Sequence, residues 1–148
     1  MNNIKIEVNT KDVLKKFASL NSKQQAKVYR QATQKALQPL VKETKKNLKQ
    51  DFGKKASQKD KYGNSLISGV KMKIYKNGNG GNVNILSNFK LKWFELGTAI
   101  RKTRKGWARG KIKALNFFKK SRDKLEKEIL SNLDAYISNS IFKTWNKK

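Results

Sequence analysis

The chain has 148 residues, a length that suits one domain and allows a core without disulfides or metals. It contains no cysteine and no histidine, which excludes disulfide frameworks, thiol nucleophiles, zinc fingers and histidine acid–base catalysis. Against 10 Asp and Glu stand 36 Lys and Arg, a formal net charge of +26 that draws the chain to polyanions, nucleic acid first among them. Most of these cations are lysines and asparagine is abundant as well, a combination that an A+T-rich genome also favours. No stretch approaches the roughly 20 apolar residues of a membrane span, and Met1 to Thr10 lacks the apolar run of a secretory signal.

Along the chain, Ile4, Ile6 and Val8 alternate with Lys5 and Glu7, the pattern of a short strand. Asn9 and Thr10 are capping types for a short helix through Val13, Leu14 and Phe17. Ser22 is the expected N-cap of a long helix from Lys23 to about Asp51, with an apolar stripe through Tyr29, Ala32, Ala36, Leu37, Leu40, Val41 and Leu48. Pro39 inside that stripe removes one backbone hydrogen bond and predicts a kink.

Gly53 to Lys61 is rich in lysine and has no period, so an exposed, mobile loop is expected, followed by a turn at Tyr62-Gly63-Asn64. Leu66 to Tyr75 reads as a strand with Val70, Met72 and Ile74 on one face. Asn77-Gly78-Asn79-Gly80-Gly81 is a hairpin signal, and Val83 to Leu86 forms the return strand. Phe89, Trp93 and Phe94 follow as bulky rings, and Gly97-Thr98 breaks the pattern. A basic segment from Ala99 to Gly110 leads to Ile112, which ends a further strand or an extended arm. The last element is a helix from about Ala114 to Phe142, with Leu125, Ile129, Leu133, Ile137 and Ile141 at spacing four. The expected fold is α+β: an antiparallel sheet of three to four strands packed against a kinked N-terminal helix and a long C-terminal helix. It forms one domain over 1–148, with mobile basic loops at about 53–61 and 100–112.

Glu95 is the only acid between Lys61 and Arg122. A lone carboxylate among so many cations reads as an ion pair or a cap, whereas catalysis calls for a second acid or a metal cluster, and neither is visible. Gly97 reads as a backbone angle that other residues resist, and Thr98 as a turn or cap residue. Trp93 and Phe94 are adjacent and point apart: both pack the core, or one of them serves an interface. Seven of the thirteen residues from Arg101 to Lys113 are basic. Arg101, Lys102, Arg104, Lys105, Trp107, Arg109 and Lys111 therefore form a candidate surface for DNA, for an acidic protein partner, or for neither. No phosphate-cradling loop and no dinucleotide fingerprint occurs.

Three segments in order, Tyr62-Gly63-Asn64-Ser65-Leu66-Ile67-Ser68, Leu91-Lys92-Trp93-Phe94-Glu95-Leu96-Gly97-Thr98 and Lys113-Ala114-Leu115-Asn116-Phe117-Phe118, carry a resemblance. Their order and spacing resemble the tail-completion, or head–tail joining (minor tail), proteins of long-tailed phages over about residues 25 to 135. Tyr62 stands where that family carries Thr or Ser, Ala114 where it carries Pro, and Ser121 where it carries Ala. The resemblance implies a structural, non-enzymatic virion protein with no cofactor, made in the host cytoplasm and placed at the head–tail interface of a phage or prophage particle. It further implies a homo-oligomeric ring, a hexamer being one such ring, that contacts head connector and tail-tube proteins and lets DNA through its lumen. On that reading Trp93, Phe94, Glu95, Gly97 and Thr98 serve assembly. Two other readings compete: a free-standing basic nucleic-acid-binding protein, and a toxin-like ribonuclease using Tyr62, Tyr75 and the basic loop.

Overall fold

A computed structural model describes residues 10–76 and 80–146. Helix α1 (Thr10–Ala18) is followed by α2 (Ser22–Phe52), the spine of the fold. Asn21, one residue before the expected Ser22, caps α2: its side chain accepts the Gln24 N–H at 3.0 Å while the Gln24 side chain accepts the Asn21 N–H at 3.1 Å. Pro39 lies inside α2 and the helix continues on both sides of it, because the packed stripe Val28, Ala32, Ala36, Leu40, Thr44 and Leu48 is buried throughout.

The sheet is smaller than expected. Among the described residues it has two strands, β1 (Lys71–Ile74) and β2 (Gly81–Asn84), paired antiparallel with Lys71 opposite Asn84 and Ile74 opposite Gly81. A single 3₁₀ turn (Ile67–Gly69) occupies the start of the expected first strand, which shortens it. The expected strand at Ile4 to Val8 and the turn tip at Asn77-Gly78-Asn79 lie outside the described residues. The segment ending at Ile112 adds no third strand: an isolated bridge joins Lys102 and Ala108, and the rest is an arm. One face of the hairpin lies on α2, with Met72, Ile74 and Val83 half-buried and Lys71 and Lys73 exposed.

A short helix α3 (Lys90–Leu96) and the long α4 (Phe117–Trp145) complete the fold, an α+β domain that is mostly helical. The α2–α4 pair runs antiparallel. Asn47 donates to the Ser121 hydroxyl at 2.9 Å, and Lys124 reaches Glu43 at 2.7 Å. Small polar residues line the seam: Thr44 donates to the Leu40 carbonyl and Ser121 to the Phe117 carbonyl, so both are satisfied within their own helix although fully buried. The spacing-four stripe of α4 rotates about 160° over its four steps on a 3.6-residue helix. Leu125 and Ile141, at the two ends of the stripe, are buried, while Ile129, Leu133 and Ile137 between them are only half-covered.

Apolar burial collects at the two ends of this pair. Leu48, Val70, Ile85, Leu91 and Phe117 form one cluster, and Val13, Leu20, Val28 and Ile141 form the other. The segment expected to be an exposed loop at 53–61 is partly built in. Gly53–Ala56 is a 3₁₀ turn that buries Ala56 completely. Asp60 then accepts the Tyr62 and Asn64 N–H groups, each at 3.0 Å, and the Lys90 ammonium at 3.1 Å.

Candidate functional site

Helix α3 divides its residues sharply. Leu91 and Glu95 are buried, and Phe94 turns inward against Phe52 with ring centroids 4.7 Å apart. Trp93 faces out, edge-on to Phe89 at 5.3 Å. Of the adjacent pair, Phe94 thus belongs to the core and Trp93 to the surface. Phe89, Trp93 and Leu96 recur at i, i+4 and i+7, one face of a helix, and all three are exposed, as is Leu86 just before them.

Glu95 is 7% exposed, and its carboxylate ends on the start of α4. One oxygen accepts the Phe118 N–H and the other the Lys119 N–H, each at 2.9 Å. The residue in the N-cap position, Asn116, has φ 52° and makes no side-chain cap bond, so Glu95 supplies the acceptor from another element. Backbone bonds reinforce the joint: the Leu115 N–H donates to the Phe94 carbonyl at 2.8 Å and the Asn116 N–H to the Glu95 carbonyl at 3.2 Å. These two bonds hold 114–116 out of the helix, which is why α4 begins at Phe117 and not at Ala114.

Gly97 stands at φ 72°, ψ −176°, a region essentially reserved for glycine. A Cβ there meets the Ala114 nitrogen and the Ile112 oxygen, both at 2.9 Å. Thr98 closes the root of the arm: its N–H donates to the Ile112 carbonyl and its hydroxyl accepts the Ile112 N–H, both at 3.0 Å.

The arm itself is a hydrogen-bonded hairpin. Gly106 donates to the Thr103 carbonyl at 2.9 Å and Thr103 to the Trp107 carbonyl at 2.8 Å, with Gly106 at φ 83°. This is a three-residue hairpin loop closed by a left-handed glycine. Further down, Arg101 faces two residues, accepting from the Arg109 N–H and donating to the Gly110 carbonyl, a two-against-one bulge. Arg101, Lys102, Arg104, Lys105, Arg109 and Lys111 are all exposed, and Trp107 is 72% exposed. The one acid of the surrounding sequence, Glu95, spends its carboxylate on α4, so it gives these cations no surface countercharge.

The structure thus brings Trp93, Leu96, the arm root and the arm to one stretch of surface, while Phe94 and Glu95 support it from within. Sequence reasoning missed the Phe89–Trp93–Leu96 stripe, although its spacing was there to be read. Tyr62 lies at the Asp60 turn with Lys61 4.8 Å above its ring, and Tyr75 follows β1 with its N–H on the Gly80 carbonyl. Among the described residues no cluster of three or more acidic side chains could hold a metal ion, and no helix is long and apolar enough to cross a membrane. No protein-family model, no curated protein and no solved structure matches this chain.

Proposed function

We propose that the chain is a structural subunit of a tailed phage or prophage particle, a tail-completion protein that assembles as a ring at the head–tail interface. The observation that carries this reading is the joint between α3 and α4. A Glu-Leu-Gly-Thr bend follows the hairpin sheet, its carboxylate fixes the start of the closing helix, and its glycine sends a cationic arm outward. A scaffold that spends Glu95 on holding the start of a helix, with a cationic arm exposed beside it, suits docking better than turnover. The partners are further copies of the chain, head connector and tail-tube proteins, with DNA in the lumen.

Subunits of charge +26 repel one another, so a homotypic ring needs screening by salt or an acidic neighbour. Sedimentation and negative-stain imaging across a salt series, alone and with the connector protein, test the reading. Closed rings that gain population with salt or connector support it. A monomer under every condition, from a gene whose neighbours encode no virion protein, overturns it.

Trp107 and the cations of the arm favour one second reading, a basic nucleic-acid-binding protein. Sequence or structure preference that survives physiological salt separates it from the first, since non-specific binding follows from charge alone.

A further inference from the structure

The outer face of α3 and the root of the arm form one continuous surface. Phe89, Trp93 and Leu96 are 62%, 45% and 66% exposed. Leu96 also borders a shallow groove whose other walls include Thr98, Lys111, Ile112 and Lys113. Large side chains left in water on the working side of a domain mark an interaction site.

The chemistry of the occupant follows from what surrounds the stripe. Lys92 sits within α3, and Lys111 and Lys113 stand in the groove, all exposed; of the nearby acids, Glu95 is buried on the start of α4 and Asp60 is held by Lys90. A second copy of this chain would bring the same positive charge to the contact, whereas an acidic partner is drawn to it. Nucleic acid is acidic, but Leu86, Leu96 and Ile100, each more than 60% exposed, present no π-face for a base to stack on. A bilayer surface is flat and leaves the groove unfilled. What fits is a protein segment with apolar side chains along one face and carboxylates beside them.

We infer that this surface docks an acidic amphipathic helix of a partner protein, its apolar residues on Phe89, Trp93 and Leu96 and its carboxylates on Lys92, Lys111 and Lys113. The inference rests on the assembly reading and names the chemistry of the neighbour. In helix-in-groove recognition the docked helix supplies anchors at i, i+3 or i+4 and i+7, the spacing the partner lays along this stripe.

The test titrates the full chain, by tryptophan emission and calorimetry, with a 20-residue Leu/Glu peptide of helical amphipathic spacing. The controls are a scrambled peptide of the same composition, a 20-nucleotide single strand, and vesicles of anionic phospholipid. The amphipathic peptide is expected to bind at least about tenfold tighter than its scramble. A Trp93→Ala, Leu96→Ser variant should lose about tenfold for that peptide, with its circular dichroism and single-strand affinity unchanged; burial of an aromatic anchor is worth that much at an interface.

Equal binding of the scramble, an unaffected variant, or vesicle binding that the variant alone abolishes overturns the inference. Because the variant's solvent-facing positions carry little of the fold, a second variant, Phe89→Ser, repeats the measurement should the pair reduce stability. A chain that binds the peptide yet never forms a ring keeps this surface and loses the assembly reading; rings that ignore the peptide do the reverse.

Discussion

The Glu95 carboxylate accepts the Phe118 N–H at 2.9 Å across 23 residues of sequence, so the last helix is capped by a side chain from a different helix. The second oxygen takes the next N–H, and the negative charge faces the positive end of the α4 dipole. Glu95→Ala leaves two N–H groups unmet at a buried helix start and is expected to cost about 2–3 kcal/mol. Glu95→Gln keeps the shape but has one acceptor atom for two donors, and should cost about 1–2 kcal/mol. Urea unfolding measures both. A Gln variant as stable as the parent would show that the charge is idle.

Gly97 sets the direction of the arm. Its φ of 72° with ψ of −176° lies outside the left-handed helical region that asparagine tolerates, and a Cβ runs into backbone at 2.9 Å on two sides. Gly97→Ala and Gly97→Asn are therefore both expected to destabilise by about 1–3 kcal/mol or more. Asparagine should give no rescue relative to alanine. Rescue by asparagine in thermal unfolding would place the residue in an ordinary αL turn and refute the geometry.

The two long helical patterns were legible because each buries a face against the other: Ala32, Ala36, Leu40 and Leu48 of α2, and Leu125 and Ile141 of α4, stand in the sequence stripes and are buried in the structure. What remained hidden was long-range. Nothing local to Glu95 says that its acceptors serve residues 23 and 24 positions on, and nothing in the lysine-rich run before Asp60 says that Ala56 is buried. Strand length was overread because Val70 and Ile85 alternate correctly yet lie just beyond the paired ladder, packed in the core without extending the sheet. The stripe on α3 was missed for a different reason. Phe89, Trp93 and Leu96 share a helical spacing but look like core residues by type, and it is their exposure that turns the stripe into a surface.

Asp60 ties the 53–64 segment to α3. The Asn64 backbone N–H foremost, then the Lys90 ammonium, hold its carboxyl below the ordinary value. A carboxyl depressed in the folded state binds its proton more readily when the chain unfolds. Its contribution is therefore whole above the unfolded value and lost as pH falls through the folded one. Glu43, held down chiefly by its hydrogen bond from Lys124, acts in the same sense. The expected profile is a flat stability from neutral pH to about pH 5 and a decline below about pH 4. Asp60→Asn should be less stable at neutral pH, with a shallower acid decline, so that the two curves converge. Parallel curves in urea midpoints taken from neutral to acid would remove Asp60 from the account.

The arm separates charge from shape in a way that binding measurements can read. Arg101, Arg104 and Arg109 are exposed, and Glu95, the only acid in sequence between Lys61 and Arg122, is turned inward. Replacing all three by alanine should change stability by no more than about 0.5 kcal/mol per site, as expected at solvated positions. If the arm tracks phosphates, the slope of log K against log salt for a DNA duplex should fall by about 1 for each arginine removed. Trp107, 72% exposed beside the Thr103–Gly106 turn, acts differently. Trp107→Ala should leave that slope unchanged and weaken single-strand binding by about 1–3 kcal/mol, the worth of one stacked base. An unchanged slope in the triple variant, with connector binding lost, would assign the arm to an acidic protein surface instead of DNA.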